Sequence, residues 1–481
     1  MKQTQTYRST ASLLILTMLL ITIIIESYPL KAVAQELNIY NNRASMAAVK
    51  NIHAPSASNY KKRFWRATAE WTMVQLLPWA SNCYIRKAGF AKILFKSIAH
   101  NLKPGSLEWD DNKFFNNQFS HPFQGNLYFN SFRSNGYDFW QSAPATFAGS
   151  YIWETICETH QPAPNDFLNT GLGGIVLGEM SNRLSKIILR SKAGKTKIIM
   201  REPVTILVNS TGGLNSSMDN KREKNEPANF DGPSLSVVTD AGLRYINKKG
   251  KFLFSKPKRQ IFGRTCLQYG DPYTQFKEPF SNFSLVTEIG NDDSASANIL
   301  QIEGCIYGKK IKQTGKSDHV FSISMNYDFY NISALVFGAQ SFRANLLSRF
   351  NFSKQVQLQV KAGAGMITLA ALPDKYLYYG EGRNYDYCTG ISFQLGAGIN
   401  IANKLFYDFK CNGGKAITLN GYRSSHFFYN TLSTMRMVIY KGLSISATTS
   451  HYIFNGYYKD FSSVSDHHLF RYFGLGYKIT I

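Results

Sequence analysis

The sequence predicts a mainly β chain, an antiparallel transmembrane β-barrel of about twelve strands with an N-terminal helical segment packed in or under the barrel. Three observations carry this. The second half alternates apolar with small or polar residues in period two, Tyr and Phe gather near the ends of the alternating runs, and the first 34 residues have the layout of an export signal. The chain has 481 residues, ample for a barrel and a further domain, and its mean hydropathy of -0.23 with no internal run of eighteen apolar residues excludes a polytopic helical membrane protein.

Lys2 and Arg8 precede an apolar stretch from Leu13 to Ile25, and the small triplet Ala32-Val33-Ala34 follows, so cleavage is expected to leave Gln35 first. No cysteine follows the apolar stretch, so no lipid anchor is expected. Six scattered cysteines show no C-x-x-C and no clustering with histidine, which argues for buried thiols over a disulfide framework or a zinc site.

Residues 35–190 read as a helical domain. Ala67 to Leu77 ends before Pro78, Lys87 to Asn101 carries an apolar stripe of Phe90, Ile93, Leu94 and Ile98, and Ala145 to Thr159 follows Pro144. Gly174 to Leu189 is a further helix, in which Gly174 and Gly178 permit close approach of another backbone. Lys192 to Glu226 and Lys248 to Arg259 are basic and polar, the composition of solvated loops. Residues 191–481 are assigned to the barrel. Phe321 to Phe329, Val356 to Ala364, Ile391 to Ile399, Leu443 to Thr448 and Phe473 to Ile481 alternate, with Lys441-Gly442 and Asn412-Gly413-Gly414 as turn-forming breaks.

The distinctive chemistry lies in residues 108–183. Glu154 and Glu158 stand four apart on one helix face, where two ionised carboxylates repel and require compensation. Arg133 and Arg183 are the nearest basic residues for that role, and Glu179 with Arg183 is an acid-first pair at the same spacing. His121 and Asp166 offer an acid or base and a further carboxylate. Glu108, Asp110 and Asp111 lack the spaced oxygen ligands of a calcium loop.

The runs HPFQGNLYFNSFRSNGYDFW, GSYIWETICE, PAPND and GGIVLGEMSNR, within about residues 60 to 190, resemble an exported bacterial family known as domain of unknown function 3943. One departure is Pro162-Ala163-Pro164, where the family pattern has Pro-Ser before Asn-Asp. The resemblance implies an envelope location and a barrel-associated domain, and it brings no catalytic residues with it.

There is no G-x-S-x-G elbow and no H-E-x-x-H, so an enzyme is the lesser expectation. The formal charge of +23 in an exported chain suits anionic lipopolysaccharide better than nucleic acid. The expected function is binding or transport of an envelope lipid or small solute by a monomeric outer-membrane protein, without cofactor or metal. His121, Arg133, Glu154, Glu158, Asp166, Glu179 and Arg183 are its candidate ligand-binding residues. The alternatives are a membrane-embedded lipid-modifying hydrolase using His121 and one carboxylate, and a purely structural envelope protein.

Overall fold

A computed structural model describes residues 61–190, 195–219, 233–248, 257–276, 278–292, 297–333, 335–377 and 383–480. The expected export signal lies outside these residues.

Among the described residues, eight α-helices precede the strands: α1 (Phe64–Ala80), α2 (Phe95–Asn101), α3 (His121–Arg133), α4 (Phe139–Ile152), α5 (Pro164–Leu168), α6 (Gly174–Arg190), α7 (Lys195–Val208) and α8 (Ser210–Met218). Local chemistry accounts for boundaries that differ from expectation. The Lys87–Asn101 stretch is not one helix. Lys87 adopts a positive φ of 53°, and the hydroxyl of Ser97 caps the Leu94 amide, so α2 starts only at Phe95. α4 begins before Pro144, because the Asp138 carboxylate accepts a hydrogen bond from the Gln141 amide at 2.8 Å and starts the helix there. The domain boundary expected at residue 190 falls beyond Met218. Much of the polar stretch after it is the helices α7 and α8, with Val204 and Thr205 buried and the Asn209 side chain capping α8.

Twelve strands close into an antiparallel barrel: β1 (Leu235–Lys248), β2 (Lys258–Tyr269), β3 (Phe283–Gly290), β4 (Ala297–Gln313), β5 (Ser317–Ile332), β6 (Leu335–Asn351), β7 (Val356–Pro373), β8 (Tyr385–Ile401), β9 (Leu405–Thr418), β10 (Ser424–Tyr440), β11 (Leu443–Tyr458) and β12 (Val464–Thr480). Each strand pairs with its chain neighbours, and β1 pairs with β12. Lys441 and Gly442 both have positive φ, 36° and 90°, which suits the two-residue turn between β10 and β11. Asn412-Gly413-Gly414 is not a turn. It lies inside β9, where a side chain on Gly413 would run into the Phe428 carbonyl of β10 at 2.4 Å.

Pairs that cross the barrel identify its inner face. Asp240 on β1 meets Arg436 on β10 at 2.6 Å, and Glu303 on β4 meets Lys361 on β7. The alternate positions therefore face outward. On β8 to β12 those positions hold exposed Ile391, Leu395, Met435, Ile445, Phe473 and Leu475, an apolar wall suited to lipid.

On β1 to β5 the outward row Val237, Leu267, Leu285, Ile302 and Tyr327 is continuous in register and buried. What covers it is the helical domain. Leu267, Leu285 and Tyr327 share one apolar core with Phe129, Val176, Met180 and Leu184. Phe114 stacks on Phe329 at 5.5 Å, and the Tyr327 hydroxyl donates to the Gln118 carbonyl. This corrects the expectation that the helices sit in or under the barrel. The barrel fills its own lumen with ion pairs and with aromatic contacts such as Tyr330–Tyr452 and Phe337–Phe428. The apolar faces of the helices meet the apolar outer wall.

Candidate functional site

The residues singled out in the sequence separate into two clusters. The first is an ion-pair clamp. Glu179 on α6 is fully buried and takes Arg133 Nε of α3 at 2.7 Å and Arg183 Nε of its own helix at 2.8 Å. Arg183 also donates to the Pro279 carbonyl in the β2–β3 connection at 2.7 Å and lies over the Tyr269 ring. The two guanidiniums hold the Glu179 carboxyl below its ordinary range despite burial. The clamp therefore ties α3, α6 and the barrel together. Neither arginine forms an ion pair with Glu154 or Glu158 among the described residues, which corrects the expected compensation.

The second cluster holds Asp110, His121, Glu154, Glu158 and Asp166. Pro164 at the start of α5 and the turn after α4 bring the carboxylates together, and His121 is the first residue of α3. His121 Nε2 stands 3.6 Å from Asp166 Oδ1, and Thr170 Oγ1 stands 3.4 Å from His121 Nδ1. Asn165 organises the group. Its amide nitrogen donates to Asp166 Oδ1 and to the Tyr387 hydroxyl of β8, both at 2.8 Å, and its oxygen accepts from the Asp110 amide at 3.0 Å. Trp109 stacks on Tyr387, and the Asn117 amide donates to the hydroxyls of Tyr385 and Tyr387. Tyr385 and Tyr387 share the outward face of the helix-covered wall with Ala371. The site is thus closed on one side by the outside of the barrel.

No lysine or arginine ion-pairs with Glu154, Glu158 or Asp166 among the described residues. Desolvation, the Glu158 charge and the Asp166 charge push the Glu154 carboxyl well up, and the Ala163 amide only partly offsets them. Asp166 is raised first by burial and then by Asp110 and Glu158, while burial lowers the His121 imidazole. Glu158 is pushed up to about 8, chiefly by desolvation. Burial thus favours the neutral forms of Glu154, Glu158 and Asp166 and of the His121 imidazole alike.

A pH dependence follows. A carboxyl raised in the fold keeps a proton that the unfolded chain has released, so its stabilisation is full below the unfolded value and is lost as pH rises through the folded one. For Glu158 the helical domain is expected to lose stability as pH rises from 4.5 to about 8, with a slope of up to about 1.4 kcal/mol per pH unit for each proton released. Glu154→Gln/Glu158→Gln should flatten that slope in urea titrations followed by tryptophan fluorescence. An unchanged slope would show that these carboxyls ionise freely in the fold.

The sequence named four members of this cluster, His121, Glu154, Glu158 and Asp166, but not its partners on the wall. Asp110 was read with its acidic neighbours, and Tyr385 and Tyr387 lie more than 200 residues away in the chain. Only the register of β8 brings those hydroxyls to Asn117 and Asn165.

A closed antiparallel barrel with an apolar outer wall and a charged lumen is the architecture of an outer-membrane β-barrel protein. Within this chain, residues 106–211 match the model of the family described as Domain of unknown function (DUF3943), a match that spans α3 to α7 and every candidate residue from Asp110 to Arg183. No curated protein matches. Among solved structures, the chain is similar to the NanC porin (9% identity, TM-score 0.28), covering 50% of this chain and 100% of that one. It is also similar to an outer-membrane channel from Pseudomonas putida F1 (11% identity, TM-score 0.28; 52% and 100% covered). A third is the outer-membrane channel DcaP of Acinetobacter baumannii (10% identity, TM-score 0.24; 52% and 99% covered).

Proposed function

We propose that this protein binds an envelope lipid between its helical domain and the outer wall of its barrel, with the head group at the cluster of Asp110, His121, Glu154, Glu158 and Asp166. One observation carries the reading. The elements that supply the cluster also present exposed apolar side chains: Leu107 near Asp110, Tyr151 and Ile156 around Glu154, and Phe167 beside Asp166. Exposed apolar side chains on the same segments as a buried polar cluster suit an amphipathic ligand, whose chains would lie on the apolar surface while its head makes hydrogen bonds at the cluster. Trp65, Leu77, Ile85 and Phe95 of the helical domain are exposed as well. None of the described helices is long and apolar enough to cross a membrane, so these side chains suit a helical domain lying along the lipid surface. Arg133, Glu179 and Arg183 hold the domain on the wall in this reading and do not touch the ligand.

Native mass spectrometry of the detergent-folded protein tests it. A stoichiometric lipid adduct is expected on the wild type and its loss in Glu154→Gln/Glu158→Gln, whereas bare protein in both would remove the reading.

Movement of a small solute through the barrel is the second reading, favoured by a lumenal cavity lined by Gln301, Asp328, Tyr330, Arg343, Tyr452 and His468. It requires the pairs that span the lumen to part. A steady conductance in planar bilayers that rises in Asp240→Asn, which releases Arg436, would favour it. The line of Thr170, His121 and Asp166 also leaves room for ester hydrolysis, which would show as an activity lost in His121→Ala.

A further inference from the structure

We infer that Asp110, His121 and Asp166 bind a divalent first-row transition cation. Their ligand atoms, one imidazole nitrogen and two carboxylate oxygens, all lie within 4.8 Å of one another. Ligands held at roughly 2.0–2.2 Å from one zinc ion stand about 3–4 Å apart, so small side-chain rotations bring all three onto one centre. The three come from separate places in the chain: the extended stretch before α3, the first residue of α3, and α5. That separation hides the set from any spacing motif.

The surroundings are those of ligands held for a metal. Thr170 Oγ1 contacts His121 Nδ1, which leaves Nε2 facing Asp166, and a hydrogen bond at one ring nitrogen fixes which nitrogen is free to coordinate. Asn165 bonds the backbone of Asp110 and the carboxylate of Asp166 at once, setting the distance between the two acids. The carboxylates have no lysine or arginine partner among the described residues.

A second observation points independently to a ligand. Asn117 and Asn169 are both fully buried, and the Asn117 oxygen and both amide atoms of Asn169 have no hydrogen-bond partner among the described residues. Asn117 precedes His121 by one helical turn, and its amide shares the Tyr387 hydroxyl with Asn165. Asn169 follows Asp166 by three residues and Asn165 by four, on the same helical face. Buried amides left unpaired are costly, and an oxygen ligand or a metal-bound water at the cluster would satisfy them. A mixed imidazole and carboxylate set favours Zn2+ or Mn2+ over Ca2+ or Mg2+, which prefer all-oxygen shells. The inference goes beyond lipid binding and is independent of it, since every ligand comes from the chain.

The test uses the full chain without a polyhistidine tag, folded in detergent, stripped with a chelator and titrated with Zn2+ and Mn2+ by calorimetry in lipid-free buffer. Metal retained after gel filtration is counted by elemental analysis. One equivalent is expected on the wild type, none in His121→Ala or Asp166→Asn, and an affinity weaker by about 10–100-fold in Asn165→Ala. His467→Ala, in a histidine on β12, should bind as the wild type does. Heat-modifiable electrophoretic mobility checks that each barrel is folded. Should the His121 and Asp166 variants not fold, X-ray absorption on the zinc-loaded wild type decides, with one nitrogen and two or more oxygen neighbours expected. No retained metal on the wild type, a sulfur-ligated or purely aqueous ion, or full binding in folded His121→Ala and Asp166→Asn would overturn the inference. If metal binds but no lipid does, the site stands and the lipid reading falls.

Discussion

Glu179→Gln is expected to destabilise the helical domain by about 3–5 kcal/mol, because removing one partner of a buried ion pair leaves the opposite charge uncompensated. Two guanidiniums are affected. Arg133 loses its carboxylate partner among the described residues, Arg183 keeps only the exposed Glu278 at 3.7 Å, and Arg183 is also the link from α6 to the Pro279 carbonyl. The barrel has its own closed hydrogen-bonded ladder and should survive. Urea unfolding followed by tryptophan fluorescence, with heat-modifiable mobility as the barrel readout, should show the helical transition moved far down and the barrel unchanged. A loss below about 1 kcal/mol would mean that the clamp behaves as a solvated surface pair.

Gly125→Ala is expected to have an effect of similar size from a different cause. α3 and α6 cross at Gly125 and Gly174. An added Cβ at Gly125 would lie 2.0 Å from the Thr170 carbonyl oxygen and 2.8 Å from the Gly174 Cα. Both obstacles are backbone, so no side-chain rotation relieves the clash. Overpacking of this kind costs typically about 1–3 kcal/mol and more where the backbone must move. The same shift would separate Thr170 from His121, so zinc and lipid binding should weaken along with stability. Gly89→Ala is the matched control, since a Cβ there meets nothing within 4 Å. Equal stability of the two variants would contradict the close crossing.

The barrel was legible in the sequence because alternation is a local signal. Phe473, Leu475 and Tyr477 read as one face and do form the outer face of β12, and Lys441-Gly442 reads as a turn because few other pairs adopt two positive φ values. The misreadings share one origin. Gly413 and Gly414 have turn composition, but they are small because neighbouring strands press on them from both sides of β9. Lys192 to Glu226 has loop composition, yet the helices in it are fixed by the cap at Asn209 and by burial of Val204. The placement of the helices was hidden for a related reason. An outward β row such as Val237, Leu267 and Leu285 has the same composition whether lipid or a helix covers it.

The candidate residues were visible as residue types, but their grouping was not. Glu154 and Glu158 seemed to call for Arg133 and Arg183 on grounds of charge, while the fold gives both arginines to Glu179 and leaves the other acids with His121 and Asp110. Periodicity along a helix cannot report which of two buried carboxylates a distant guanidinium reaches. The hydroxyls of Tyr385 and Tyr387 depend on strand register and carry no local signature at all.

The central claim is that ligand is held on the outside of the barrel, beneath the helices, and site-specific photo-crosslinking tests it most directly. A photoreactive phenylalanine analogue is placed at Phe167, the exposed neighbour of Asp166 on α5, and in a second variant at Tyr452, inside the lumen. After irradiation in native membranes, mass spectrometry of the purified protein should find an envelope-lipid adduct at position 167 and none at 452. Adducts confined to position 452 would place the ligand in the lumen and contradict the account.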